Sequence, residues 1–300
     1  MCLNVQGFSV SKSGSLPEEC EDAFDYDLSQ KRAAIADGVT LLSFRSKQWA
    51  LRLVERFVAA SPLVTSSDSD LLKWLEPIQS EWSASIRKEW QNLPWYQRNK
   101  ARYGSRATLL GIEFFFSNNL REPTEWQALA IGDCCLFHVR NDTLCATFPF
   151  KSSDEFNNFP SVVSSDRLVS ASILTSAKII RGEYKREDIF CLATDELAKW
   201  LLSQHEAGKK PWALLREIRD QDQFSSFINQ IREASEVIND DMTLLLISCR
   251  PFCRRPTEKD PGRADGRKSV AEKGDFARTR GLSRSRSLLQ RVREFLWGGR

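Results

Sequence analysis

Three hundred residues with 41% hydrophobic content, 9 Trp and 18 Phe carry enough apolar surface for a packed core. No stretch approaches the roughly 18 uninterrupted apolar residues of a membrane span. The formal charge of +3 is unevenly divided: residues 251–300 hold 14 Lys+Arg against 6 Asp+Glu, leaving 29 against 34 in residues 1–250. A mildly acidic body argues against nucleic acid as its main ligand, because a phosphate backbone requires a positive surface. The opening MCLNVQGFSVSKSG lacks a charged region followed by an apolar one, so a cytoplasmic protein is expected. The 8 cysteines form no C-x-x-C pairs and several sit inside apolar runs, which points to reduced, buried thiols.

In chain order, KRAAIADGVT reads first as a short buried strand ending on Asp37 and Gly38, whose simplest meaning is a hairpin tip. From Ser43 the spacing turns helical, with Trp49, Leu53, Val54, Phe57 and Val58 on one face. A second helix places Leu71, Leu75, Ile78, Trp82 and Ile86 together, and Pro77 marks a kink or break. The polar segment YQRNKARYG follows. Next come ATLLGIEFFF, WQALAIGDCCLFHVR, an Asn141-Asp142 turn and TLCATFPF, which together predict an antiparallel meander. Residues 151–186 read as a long polar surface excursion. DIFCLATDELAKWLL then repeats the opening pattern, a strand ending in an aspartate, here entering a helix. Helical PWALLREIRDQ and SSFINQIREAS precede the closing strand of NDDMTLLLIS.

The organisation expected is a body over residues 1–250, a basic disordered linker over 251–282 and a short basic amphipathic helix over 283–300. In that helix Leu288, Leu289, Val292, Phe295 and Leu296 share an apolar face. Such a helix can dock on a partner, lie on an anionic membrane surface, or remain an untethered tail.

Asp37, Asp195 and Asp240 each sit at a strand end, and ECEDAFDYD supplies Glu21 and Asp22 just before the first strand. Taken singly, each acid has a plain structural reading: a loop charge, a helix cap or a turn. Converging on one mouth, they would repel one another unless a cation compensated them. An all-oxygen set selects hard divalent ions, and paired ions of that kind support hydrolysis at phosphorus.

The segments CEDAF, IADGV, GSRATLLGI, AIGDCCLFHVR, LATDELAKWL and NDDMTLLLIS, in that order, resemble the metal-dependent serine/threonine protein phosphatases of type 2C, and a bacterial branch in particular. The resemblance spans about residues 5 to 249. It implies an α+β fold: a four-layer α-β-β-α sandwich of two antiparallel sheets flanked by helices. It further implies two Mn2+ or Mg2+ ions. Asp37 and the carbonyl of Gly38 would hold them with Glu21, Asp195 and Asp240, and Asp22 would position metal-bound water. Asp133 matches the acid of a third, weaker ion site in some members. The substrate implied is a phosphorylated protein, the target of a cognate serine/threonine kinase.

Four positions depart from the family pattern. SLPEEC stands where many members carry a phosphate-gripping Arg, leaving Lys12, Arg45 and Arg106 as candidates for that task. Val39 replaces a His found in eukaryotic members, and Cys134 replaces the serine after G-D. Glu196 replaces a glycine and either tunes the site or points away from it. His138 and His205 read as structural, lacking an adjacent acid or Cys. The expected function is protein phosphatase; the alternative is a catalytically weak type 2C-like module that binds phosphoproteins.

Overall fold

The computed structural model describes residues 2–39, 43–64, 68–116, 124–157, 159–169, 175–250 and 287–297. Its strands are β1 (Cys2–Val10), β2 (Ala23–Asp27), β3 (Arg32–Ala36), β4 (Arg106–Ala107), β5 (Leu109–Phe115), β6 (Thr124–Ile131), β7 (Cys135–Arg140), β8 (Thr143–Phe148), β9 (Val163–Ser164), β10 (Lys178–Tyr184), β11 (Ile189–Ala193) and β12 (Met242–Arg250). Its helices are α1 (Ser46–Ala59), α2 (Asp68–Glu89), α3 (Trp95–Ala101), α4 (Asp195–Glu206), α5 (Trp212–Leu215), α6 (Gln221–Glu233) and α7 (Leu288–Trp297).

The strands form two five-stranded sheets, ordered β1-β12-β11-β7-β8 and β10-β6-β5-β3-β2, with antiparallel neighbours throughout. Strand alternation then builds three apolar layers, because successive side chains leave opposite faces. In β3, Ala33 and Ile35 enter the layer between the sheets, while Ala34 and Ala36 pack under α1 and α2. In β11, Phe190 and Leu192 face the other sheet, while Cys191 and Ala193 meet α4–α6. Both faces of each sheet are covered, which is why the strands read as nearly continuous apolar runs. The expected four-layer α-β-β-α sandwich is the observed architecture.

Several local expectations are corrected. The hairpin tip lies before β3, where the Asp27 carboxylate accepts bonds from the Ser29 and Gln30 amides; Asp37 follows the strand instead. The meander is two hairpins in different sheets: β5 pairs with β6 in one, β7 with β8 in the other, and residues 132–134 cross between them. The α2 helix runs through Pro77. YQRNKARYG contributes most of α3, and PWALLREIRDQ contributes only the single turn α5. The excursion 151–186 contains β10, an edge strand on β6 whose exposed residues are Lys178, Ile179, Arg181 and Glu183. Six cysteines among the described residues are free and all but Cys145 are buried, as expected.

The C-terminal helix docks on its own chain. Val292 is fully buried in the layer over α4–α6, and Leu288, Phe295 and Leu296 pack against that layer. Arg291 pairs with Glu217, and the Lys209 ammonium lies 5.0 Å from the Phe295 ring centre. An untethered tail is therefore excluded for this segment. Leu289 departs from the expected face, being 46% exposed. The linker 251–282, with residues 283–286 and 298–300, lies outside the described residues.

His138 and His205 lie within elements, in β7 and in the last turn of α4. His138 does have an acid: its Nε2 is 2.8 Å from Asp188, which also accepts two bonds from Arg140 at 2.7 Å and one from the Lys185 amide at 2.7 Å. The ring stacks on Phe190 at 4.5 Å, inside the packing between layers. Burial would raise the Asp188 carboxyl, but these hydrogen bonds outweigh it and hold the group below its ordinary value. Burial holds the His138 imidazole below its ordinary value, so it sits neutral.

Asp188→Asn should cost about 2–3 kcal/mol in urea unfolding, the usual loss for hydrogen bonds to a charged group. A neutral buried histidine favours the fold above its unfolded pKa, so the His138 contribution to stability, read as the difference between wild type and His138→Gln, should fall below about pH 6.5. The Asp188 contribution, read as the difference between wild type and Asp188→Asn, should be lost below about pH 4, as Asp188 is protonated through its depressed folded value. Val292→Asp should lower stability by about 2 kcal/mol or more, since it replaces a buried apolar side chain with an unpaired charge.

Candidate functional site

Main-chain hydrogen bonds bring the acidic loops together. The Asp37 amide donates to Thr108 Oγ1 at 3.0 Å and the Thr108 amide donates to the Asp37 carbonyl at 2.8 Å, fixing the end of β3 to the start of β5. Gly38 forms an isolated bridge with Ala107. A Cβ at Gly38 would lie 2.7 Å from the Glu21 carbonyl oxygen, so only glycine lets the two loops approach this closely.

The loop carrying Glu21 and Asp22 is held from the other sheet. Asp241 accepts the Lys12 amide through Oδ1 and the Glu21 amide through Oδ2, both at 2.8 Å. The Ser46 hydroxyl donates to Glu21 Oε1. Asp22 Oδ2 accepts from the Thr194 hydroxyl at 3.0 Å, whose oxygen in turn accepts the Thr243 amide at 3.0 Å. Thr194 is the N-cap residue of α4 but makes no side-chain cap bond to that helix; its hydroxyl serves Asp22 instead.

Asp195 opens α4 and accepts its neighbour's amide, Glu196 N, at 2.7 Å. Asp240 is exposed, accepts the Asp241 amide at 2.8 Å, and receives Arg232 on its carbonyl at 2.6 Å. Asp133 occupies the sheet-to-sheet crossing. Its neighbour Gly132 has φ +109°, and a Cβ there would meet Thr108 Cγ2 at 2.6 Å. Gly132 is thus required both by its backbone angle and by the contact that sets Asp133 beside the Asp37 strand.

These acids share one electrostatic field. Burial pushes Asp37 well above the ordinary carboxylate range, and the charges of Asp22, Asp195, Asp133 and Asp240 push it further. Burial and then Asp133 raise Asp195 well above that range. Burial pushes Asp22 up to about 7, against hydrogen bonds from Thr243 and Thr194 and with the charge of Asp241. Asp133 is pushed up to about 6 by burial, with Glu196 adding to the effect.

Among the described residues no three His, Cys, Asp or Glu side chains form a ready-made ligand cluster. The donor set nevertheless fits a hard cation. Asp22 Oδ1 and Asp133 Oδ1 are buried without a hydrogen-bond partner. Buried carboxylates that hold protons this readily near neutrality gain from a compensating positive charge. Oxygen-only donors suit Mg2+ or Mn2+.

The three cationic candidates separate. Lys12 shares Asp241 with Glu21 through its main chain, and the Arg106 carbonyl accepts the Val39 amide at 3.1 Å, so both border the acidic loops. Arg45 is engaged by Glu89 at 2.8 Å. Glu196 Oε2 accepts the Ile238 amide at 3.2 Å and its charge reaches Asp133, so it acts on the cluster's field. Cys134 Sγ lies 3.1 Å from Thr108 Oγ1, behind Asp37.

Sequence reasoning missed Asp241, Thr194, Thr108 and Ser46 as positioning groups. The doubled acid of NDDMT was a signal for the first: Asp240 is exposed, whereas Asp241 is 5% exposed and turned inward.

No family profile matches the chain, and no protein of curated function is similar in sequence. Among solved structures, this architecture is that of the type 2C serine/threonine phosphatases. The photosystem II phosphatase PBCP is 12% identical over 83% of this chain and 99% of its own, with a TM-score of 0.53. A bacterial serine phosphatase is 14% identical over 84% of this chain and 100% of its own, at 0.54. Serine/threonine phosphatase Stp1 from Staphylococcus aureus is 14% identical over 84% and 96%, also at 0.54. At these identities the likeness establishes the fold.

Asp241 supplies a test of the site's assembly. Asp241→Ala should leave the Lys12 and Glu21 amides without their acceptor, lowering stability by about 1–3 kcal/mol. Hydrogen exchange should accelerate at those two amides while the core of β11 stays protected.

Proposed function

We propose that the chain is a metal-dependent protein serine/threonine phosphatase acting in the cytoplasm on substrates phosphorylated by a kinase. The observation that carries this reading is that Asp22, Asp133, Asp195 and Asp240, drawn from distant parts of the sequence, all act by their charge on the buried Asp37. Asp37, the Gly38 carbonyl, Glu21, Asp195 and Asp240 would hold two Mn2+ or Mg2+ ions, and Asp133 a third. When bound, such ions acidify water and neutralise charge on phosphoryl oxygens.

The chain's own residues set the rest. Asp22, locked through Thr194 and Thr243, orients and accepts a proton from water entering beside it. Lys12 and Arg106 border the loops and suit the phosphate oxygens of a phosphoserine or phosphothreonine. Val39 offers no proton, so the leaving alkoxide draws its proton from solvent within the site. Glu196 favours a second reading, a catalytically weak phosphoprotein-binding module, because it adds negative charge beside Asp133 where an anionic substrate must approach.

Hydrolysis of a phosphothreonine peptide should require Mn2+ or Mg2+ and stop in EDTA. Asp37→Asn and Asp195→Asn should each lower it by about a hundredfold or more, beyond the cost typical of altering outer partners of a metal site. Calorimetry of Mn2+ binding separates the alternatives. Ion binding without turnover supports the module, and absence of ion binding overturns both readings.

A further inference from the structure

Large aromatic side chains are exposed on one short segment beside the site. Trp95 is 79% exposed, Tyr96 53% and Tyr103 50%, all within WYQRNKARY at residues 95–103. A chain that buries Trp49, Trp126, Trp200 and Trp212 almost completely has ample use for aromatics in its core, so this exposure calls for a reason. Helical spacing sets Tyr96 and Lys100 one turn apart, with Trp95 and Arg102 two turns apart alongside them. The third cation, Arg98, holds the segment in place by donating to the Leu93 and Gln91 carbonyls at 2.8 Å. Lys100 and Arg102 are exposed and have no acidic partner among the described residues.

The segment is tied to the acidic loops. The Phe44 amide donates to the Gly104 carbonyl at 2.9 Å, and the Arg106 amide donates to Ser43 Oγ at 2.9 Å. One residue on, Ala107 bridges Gly38. Tyr103 therefore stands four residues of chain from the partner of Gly38, a span of at most about 14 Å. A peptide with its phosphorylated residue at the acids would cross this surface with the next three or four residues.

We propose that residues 95–103 form a docking arm for the anionic segment flanking the phosphorylated residue of a protein substrate, a specificity that rests on the phosphatase reading above. Charge complementarity selects this occupant. The body as a whole is acidic, with 29 Lys+Arg against 34 Asp+Glu in residues 1–250, so an anionic ligand gains little from the general surface. Lys100 and Arg102 supply local cations, and the aromatic faces supply broad contact to an extended chain with little loss of side-chain freedom.

The test compares wild type with Trp95→Ala/Tyr96→Ala and Lys100→Glu/Arg102→Glu double variants, whose altered side chains are exposed, after thermal melts verify folding. Substrates are p-nitrophenyl phosphate, a phosphothreonine peptide flanked by glutamates, and the same peptide flanked by lysines, each with Mn2+. Expected is a rise of about tenfold or more in KM for the glutamate peptide, with its kcat and p-nitrophenyl phosphate hydrolysis unchanged and the lysine peptide little affected. An unchanged KM for the glutamate peptide in folded variants overturns the proposal. So does a single-stranded oligonucleotide that binds wild type more tightly than the glutamate peptide and loses binding in the variants, which marks a nucleic-acid surface. If no substrate is hydrolysed even by wild type, the phosphatase reading fails on its own, and anisotropy of a labelled glutamate phosphopeptide decides the arm. Binding weakened by the variants supports it, and binding unaffected by them overturns it.

Discussion

Mutual repulsion among buried carboxylates is the constraint around which this fold is arranged. Four acids, Asp22, Asp37, Asp133 and Asp195, whose proton affinity is raised by burial and by neighbouring negative charge, must be held by bonds that do not depend on their own charge. Main-chain hydrogen bonds meet that need: Thr108 grips Asp37 from both sides of its peptide, and Asp241 draws the Lys12 and Glu21 amides onto one carboxylate. Because these bonds join the start of β5 to the end of β3, and the start of β12 to the loop before β2, each sheet contributes to the site and neither can carry it alone.

The cost of this arrangement shows where local rules are broken. Thr194 stands at the N-cap of α4 yet gives its hydroxyl to Asp22, forgoing a cap that typically stabilises a helix by about 1 kcal/mol. Gly38 and Gly132 give up side chains so that backbones can touch. Glutamate rather than glycine at position 196 favours the first turn of α4 but adds charge near Asp133. Conflicts between local preference and global arrangement collect at sites with a task beyond folding.

The layers were legible in the sequence because each buried strand is apolar on both faces and each helix carries a single stripe, as Trp49, Leu53, Phe57 and their neighbours show. The acids Glu21, Asp22, Asp37, Asp133, Asp195 and Asp240 were legible through ordered short motifs. Other features were not. Pairing between distant segments is invisible in a linear pattern, so the crossing at residues 132–134 read as one meander. The edge strand β10 read as loop because only one of its faces is apolar enough to register. Asp188 went unnoticed as the partner of His138, since the two are 50 residues apart in sequence. The amphipathic face of α7 was plain, yet what it covers depends on an apolar surface assembled from α4, α5 and α6.

That last contact bears on how the molecule is made. On the ribosome α7 emerges after every other described element, and β12, the central neighbour of both β1 and β11, only shortly before it. Until they appear, β1 has no strand to pair with and the apolar surface over α4–α6 lacks its Val292 cover. The sheet that holds α4 and Asp195 in place is therefore completed only once β12 has been made, and a nascent chain shows water an open strand edge and an uncovered helical face in the meantime.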